Sequence, residues 1–244
     1  KYIALINYTF QTFGTEHIVY LFACLSIWFF LPFFGKKFVS KSQQKNIVLA
    51  LISITLLQEL LHYFYKINLN SFEPAKDISL HMCGFSLFIS CYGLYTRNQT
   101  AFELSFFWGL AGALQAIITP DPTRFYFGYI STFWSFLSHG LIILNVLWMI
   151  FVFDMRCRKY SLINTVIITN AAVFVVGIIN NIIGNGANYW FISQKPSGEN
   201  PALIGEWPYY LITFQLAGIL FMMLIYSPMW LVVKRNLAKE QIRG

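Results

Sequence analysis

The sequence predicts an all-α polytopic membrane protein. It reads as a single bundle of seven transmembrane helices, with the N-terminus outside and the C-terminus in the cytoplasm. Three observations carry that expectation. Of the 244 residues, 57% are hydrophobic and only 11% are charged, whereas a soluble domain carries roughly 25% charged residues. The apolar residues gather into seven runs of near-bilayer length, a helix needing about 20 residues to cross the hydrocarbon core. The basic residues also segregate by side. Lys36, Lys37, Lys41, Lys45, Arg97, Arg156, Arg158, Lys159, Lys234, Arg235, Lys239 and Arg243 fall on one side, and Lys1, Lys66, Lys76, Arg124 and Lys195 on the other. Cytoplasmic loops retain Lys and Arg, so the richer side is the inside.

The spans follow in order. The first, 16–34, is closed by the basic run Lys36 to Lys45, and the second, 46–65, by the charge-balanced stretch 66–77. The third, 78–95, ends before Arg97. The fourth, 101–119, stops at Pro120-Asp121-Pro122, because proline lacks an amide hydrogen and clashes inside a helix. The fifth, 124–153, is long enough to tilt or bend. The sixth, 161–183, leads into a longer loop carrying Lys195, Glu199 and Glu206, and the seventh, 208–233, ends at Lys234 and Arg235. No aqueous segment is long enough to fold alone, so one domain over 1–244 is expected, with no cleavable signal peptide. The spans show no inverted repeat of the transporter kind.

The net charge of +7 is accounted for by the cytoplasmic loops, and without an Arg-rich aromatic module no nucleic-acid partner is expected. The four cysteines, Cys24, Cys83, Cys91 and Cys157, form no CxxC pair and no disulfide framework. Cys24 and Cys91 lie mid-span and read as small buried apolar residues. Neither a cofactor nor a bound metal is expected.

Ionisable and amide groups inside spans are costly and face a bundle interior or a wet cavity. Here they favour the outer half: His17 at the mouth of the first span, Glu59 and His62 in the second, His81 and Cys83 in the third. Gln115 follows in the fourth, Asn180 and Asn181 in the sixth, and Asn188 beyond it. His139 lies deeper. With straight helices flush to the bilayer, Cys83 sits about 8 Å deep and His139 about 20 Å. The two meet only if the fifth span starts well above the membrane or tilts.

Each group also has a structural reading. Glu59 and His62 share a helix face and suit a mutual hydrogen bond. His81 suits the headgroup region, and Ser135, Asn145, Asn180 and Asn181 suit interhelical bonds. Glu103 reads as an interfacial charge. Gly109, Ala111, Gly112 and Ala113 read as close helix packing, and Tyr126, Tyr129, Trp207, Tyr209 and Tyr210 as interface anchors.

Several motifs together resemble the YwaF-type bacterial integral membrane proteins: Gly14-Thr15-Glu16-His17, Glu59, Leu80-His81-Met82-Cys83, and Gly109 through Gln115 to Pro120-Asp121. His139-Gly140, Asn188-Tyr189, Lys195-Pro196 and Trp207-Pro208-Tyr209-Tyr210 extend the match. That family is similar to the animal transmembrane ether-phospholipid acyltransferases. The resemblance implies a bacterial plasma-membrane protein in which Cys83 takes an acyl chain from a lipid and His139 is its base.

The expected activity is acyl transfer, or lipase action, in the outer leaflet, with membrane lipids as acyl donor and lysolipid acceptor. Cys83 attacks an ester carbonyl, His139 takes the thiol proton, and His81, Gln115 or an asparagine steadies the oxyanion. Glu59 orients a histidine. Two alternatives stand beside it. Four histidines, Cys83 and Glu59 supply ligand types for a metal-dependent lipid hydrolase, and the polar groups equally suit a non-enzymatic lipid-binding or transport protein.

Overall fold

The structure, a computed structural model, describes residues 8–122, 125, 127–195 and 203–243, the side chains of 233 and 235–243 excepted. Lys1, Arg124, Tyr126, Pro196 and Glu199, all used above, lie outside the described residues, and Arg235, Lys239 and Arg243 are described by their backbone alone. All regular structure among the described residues is helical.

Among the described residues, six helices are long and apolar enough to cross a membrane: Thr15–Lys37, Lys41–Asn68, Gln99–Ile118, Tyr129–Phe151, Ser161–Ile183 and Tyr209–Val232. In chain order the elements are α1 (Thr15–Lys37), α2 (Lys41–Asn68), α3 (Pro74–Asp77), α4 (Met82–Thr96), α5 (Gln99–Leu104), α6 (Leu110–Ile118), α7 (Tyr129–Phe151), α8 (Ser161–Ile183) and α9 (Tyr209–Arg243).

The third expected span is the main correction. Residues 78–81 are not helical, and α4 has only 15 residues, short of the ~20 a perpendicular crossing needs. Pro74 opens the single turn α3, and Ile78 beyond it takes an extended backbone. The fifth helix likewise begins at Tyr129, not 124, after a turn at Gly128 whose φ of 66° suits a residue without a Cβ. The expected basic loop between the first two spans is mostly helix. Ser40 caps α2, accepting from Gln43 N–H, while the Gln43 side chain returns to the Ser40 N–H. Lys36, Lys37, Lys41 and Lys45 therefore sit on helix ends.

A π segment, Ser105–Gly109, joins α5 to α6 and keeps Gln99–Ile118 one continuous rod. Glu103, just before it, is 2% exposed and accepts from Gln99, so it is a buried carboxylate, not an interfacial one.

The chain divides into two compact units, Lys1–Phe72 with Cys83–Met155, and Glu73–Met82 with Arg156–Gly244. In the first, α7 is the axis, and residues 140–150 are buried except Leu147. Glycines let neighbours close on it. A Cβ on Gly35 would come within 2.5 Å of the Trp148 ring, and one on Gly109 within 2.9 Å of Ile142 Cγ2. Buried Asn145 donates from Nδ2 to Thr55 Oγ1 (3.3 Å) and Ser90 Oγ (3.1 Å), tying α2, α4 and α7 together. Outside α1, the Tyr8 hydroxyl donates to Glu16 and meets Thr132 Oγ1 at 2.6 Å; burial pushes its pKa up to about 12.

The second unit is knotted around an aromatic loop. Trp190 and Phe191 both have left-handed backbones (φ 60° and 54°), a conformation that bulky residues hold only when their surroundings fix it. Asn180 fixes it from α8, bonding the Tyr189 carbonyl with Nδ2 and the Tyr189 N–H with Oδ1, each at 3.0 Å. The Tyr189 hydroxyl donates to Pro74 O (2.6 Å) and accepts from Ile78 N–H. Trp190 Nε1 donates to Leu80 O, and from α9 the Tyr210 hydroxyl donates to Phe191 O.

Candidate functional site

The first unit contains a constant register between α4 and α7. Gly93 faces Met149, whose Sδ would lie 3.1 Å from an added Cβ. Ser90 bonds Asn145. One turn earlier, Gly109 of the π segment touches both Ile142 (2.9 Å from an added Cβ) and Ser86 (3.8 Å), so these two are level. The numbers rise together, so the helices are parallel, and each pair differs by 55 or 56 residues. The positions 93, 90 and 86 recur every three or four residues, as one helix face requires. The next on that face is Cys83, and the next on α7 is His139.

The same level follows from α6. Gly109 and Gly112 are one turn apart, and the Cβ that Gly112 lacks would stand 3.1 Å from Cys83 Sγ. The thiol therefore rests in the notch that Gly112 leaves. Beyond Gly112, α6 continues for six residues, about 9 Å of rise.

His139 is oriented from within its own helix. Its Nδ1 stands 2.7 Å from Ser135 O, and a carbonyl only accepts, so Nδ1 carries a proton and, in the neutral ring, Nε2 holds the lone pair. Trp28 Nε1 donates to the next carbonyl, Gly140 O, at 2.9 Å and fixes α1 against that turn. Cys83 is the second residue of α4, where main-chain N–H groups lack partners within the helix and favour negative charge.

On α2, which runs antiparallel to α7, Thr55 meets Asn145 and His62 stacks on Trp134 (centroids 6.0 Å, 22°). Glu59 falls between those contacts on α2, as His139 does between them on α7. The carboxylate of Glu59 accepts from Gln58 Nε2 at 3.4 Å.

The other expected site residues have different places. Gln115 and Asn181 are exposed on their helices. His17 is no mouth residue: it is fully buried, accepts from Phe13 N–H at Nδ1 (2.8 Å) and donates from Nε2 to Ile117 O (2.7 Å). Asn180 is committed to Tyr189. Asn188 folds its own loop, accepting from Ser193 and Gln194 N–H and donating to Gln194 O. His81 belongs to the second unit, where Nδ1 accepts from Trp190 N–H at 3.3 Å and the ring packs on Tyr189 and Phe191. Among the described residues, no three His, Cys, Asp or Glu side chains are grouped to hold a metal ion.

Gln58 and Trp134 also border this layer and were not singled out from the sequence, while Gly112 was read there only as close helix packing.

The layer lies inside a multi-pass helical membrane protein. No curated protein and no solved structure matches the chain. The model of the TMEM164 family matches residues 12–226, which take in every helix of the first unit and the Cys83–His139 layer. With most of its length so matched, the chain belongs to the TMEM164 family.

Proposed function

We propose that the protein is a membrane-embedded acyltransferase acting on lipids of the outer leaflet through a Cys83 thioester, with His139 as general base. What supports this reading is the α4–α7 register, whose Gly93–Met149, Ser90–Asn145 and Ser86–Ile142 pairs, continued one turn, reach Cys83 and His139. The fixed tautomer of His139 supports it, since Nε2 is the nitrogen with a lone pair for the thiol proton.

The steps balance simply. Cys83 Sγ attacks the donor ester carbonyl as its proton passes to His139 Nε2. The N–H groups at the start of α4 receive the oxyanion. The ester C–O bond breaks, and His139 returns the proton to the departing lysolipid oxygen. An acceptor hydroxyl then gives its proton to His139, attacks the thioester and releases the thiol. Water as acceptor makes the same site a lipase.

The resemblance to YwaF-type proteins supports a bacterial plasma-membrane setting. The Lys and Arg asymmetry supports an outside N-terminus, with α4 as a short seventh span of one membrane domain. Purified protein given a phospholipid with a labelled acyl chain and a lysolipid should transfer the label. Cys83→Ser and His139→Ala should each lose at least ~10²-fold in rate, the usual worth of a nucleophile or base, while Cys91→Ser keeps it. Full transfer by Cys83→Ser would leave lipid binding without covalent chemistry as the reading.

A further inference from the structure

We infer that the seam between α2 and α7 is the subsite for a lipid alcohol, with Gln58 accepting from its hydroxyl and Trp134 donating to a second oxygen of the same molecule. This rests on the acyl-transfer reading for its role, which is to hold the acyl acceptor.

Gln58 is 3% exposed. Its Nε2 donates to Thr55 O (3.2 Å) and Glu59 Oε2 (3.4 Å). Both are acceptor oxygens, so the amide nitrogen must face them and Oε1 must face away. Oε1 is buried with no hydrogen-bond partner. One turn along the same face, His62 stacks on Trp134, and Trp134 Nε1 is also buried with no partner. Gln58 and His62 are about 6 Å apart along α2, so an orphan acceptor and an orphan donor border one short stretch of the seam. Buried polar groups are paired in nearly all native structures, and an unmade bond weakens the fold. Asn145 Oδ1 and Trp148 Nε1 are orphaned as well, farther along α7; the two beside the reactive layer, of opposite kind, suit an arriving molecule.

The pair selects its chemistry. A cation would meet the indole N–H, and an anion would meet the Gln58 oxygen beside the Glu59 carboxylate. A neutral group with one O–H to give and another oxygen to offer suits both, as the glycerol backbone of a monoacyl lipid does. The stretch from Thr55 to His62 faces α7 between Asn145 and Trp134, and His139 lies within that interval. A hydroxyl held there stands at the level of the base that would take its proton.

The test uses the purified full chain in a detergent without hydroxyl groups, titrated with 1-monooleoylglycerol or methyl oleate, which shares the chain but lacks the hydroxyls. The wild type should prefer the alcohol at least ~10-fold, as sites built to bond a hydroxyl do. Cys83→Ser should keep that preference, which separates binding from thioester chemistry. Trp134→Phe, which keeps a ring against His62, and Gln58→Met should each lose it. If one variant fails to fold, the other decides. No preference in the wild type means the seam holds water alone and overturns the assignment, as does a preference retained by the folded variants.

Discussion

Cys83 on α4 and His139 on α7 are separated by the same 56 residues that separate Gly93 from Met149, a pair in van der Waals contact. Continued along parallel helices, that offset sets Cys83 opposite His139. The late start of α4 puts Cys83 in its first turn, among the unpaired N–H groups, whereas a helix beginning at 78 would place it a turn further in.

Gly112 controls the room for the thiol. Gly112→Ala puts a methyl 3.1 Å from Cys83 Sγ, so the sulfur must move by a few tenths of an ångström. Labelling of Cys83 by a membrane-permeant thiol reagent should slow several-fold while thermal stability falls by about 1 kcal/mol, the low end for overpacking. Gly112→Val should worsen both.

Glycines elsewhere should behave according to what they face. Gly35→Ala drives a Cβ into the Trp148 ring at 2.5 Å, and a rigid buried indole gives little way. The expected loss is about 1–3 kcal/mol, read from thermal unfolding in detergent. Nothing lies within 4 Å of a Cβ on Gly177, so Gly177→Ala should be neutral or stabilise slightly.

His17 is a structural histidine in this account. His17→Ala leaves the Phe13 N–H and the Ile117 carbonyl without their partner, costing about 1–3 kcal/mol for such orphaned groups. Acyl transfer per folded molecule should be unchanged. A folded His17→Ala protein without activity would return His17 to the chemistry.

Orientation can be read directly. With cysteines at positions 41 and 195 in turn, an impermeant reagent on intact cells should label 195 and not 41. Labelling of 41 from outside would invert the topology.

Much of the fold is legible as apolar runs. Ser161–Ile183 is read to the residue, because Arg158 and Lys159 precede it and Gly184 follows. Hydropathy fails where apolar residues are not helical. Ile78 and Leu80 extend the greasy run of the third span, yet their backbone is turned by Pro74 and pinned by Tyr189 and Trp190. The π segment carries no sequence mark. Among the site residues, Cys83 and His139 stand out for being costly in a span, whereas Gln58 and Trp134 look ordinary until their unpaired atoms are seen. The roles of His17 and Asn180 were hidden because burial and main-chain partners belong to tertiary structure.

The central claim is that Cys83 becomes acylated with His139 as its base, and intact-protein mass spectrometry tests it most directly. Protein incubated with a phospholipid donor and no acceptor should gain the mass of one acyl chain, mapped to Cys83 and released by neutral hydroxylamine. Cys83→Ser should gain nothing, and His139→Ala should acylate at least ~10²-fold more slowly. An unmodified Cys83 in protein that is actively transferring acyl chains would contradict the account.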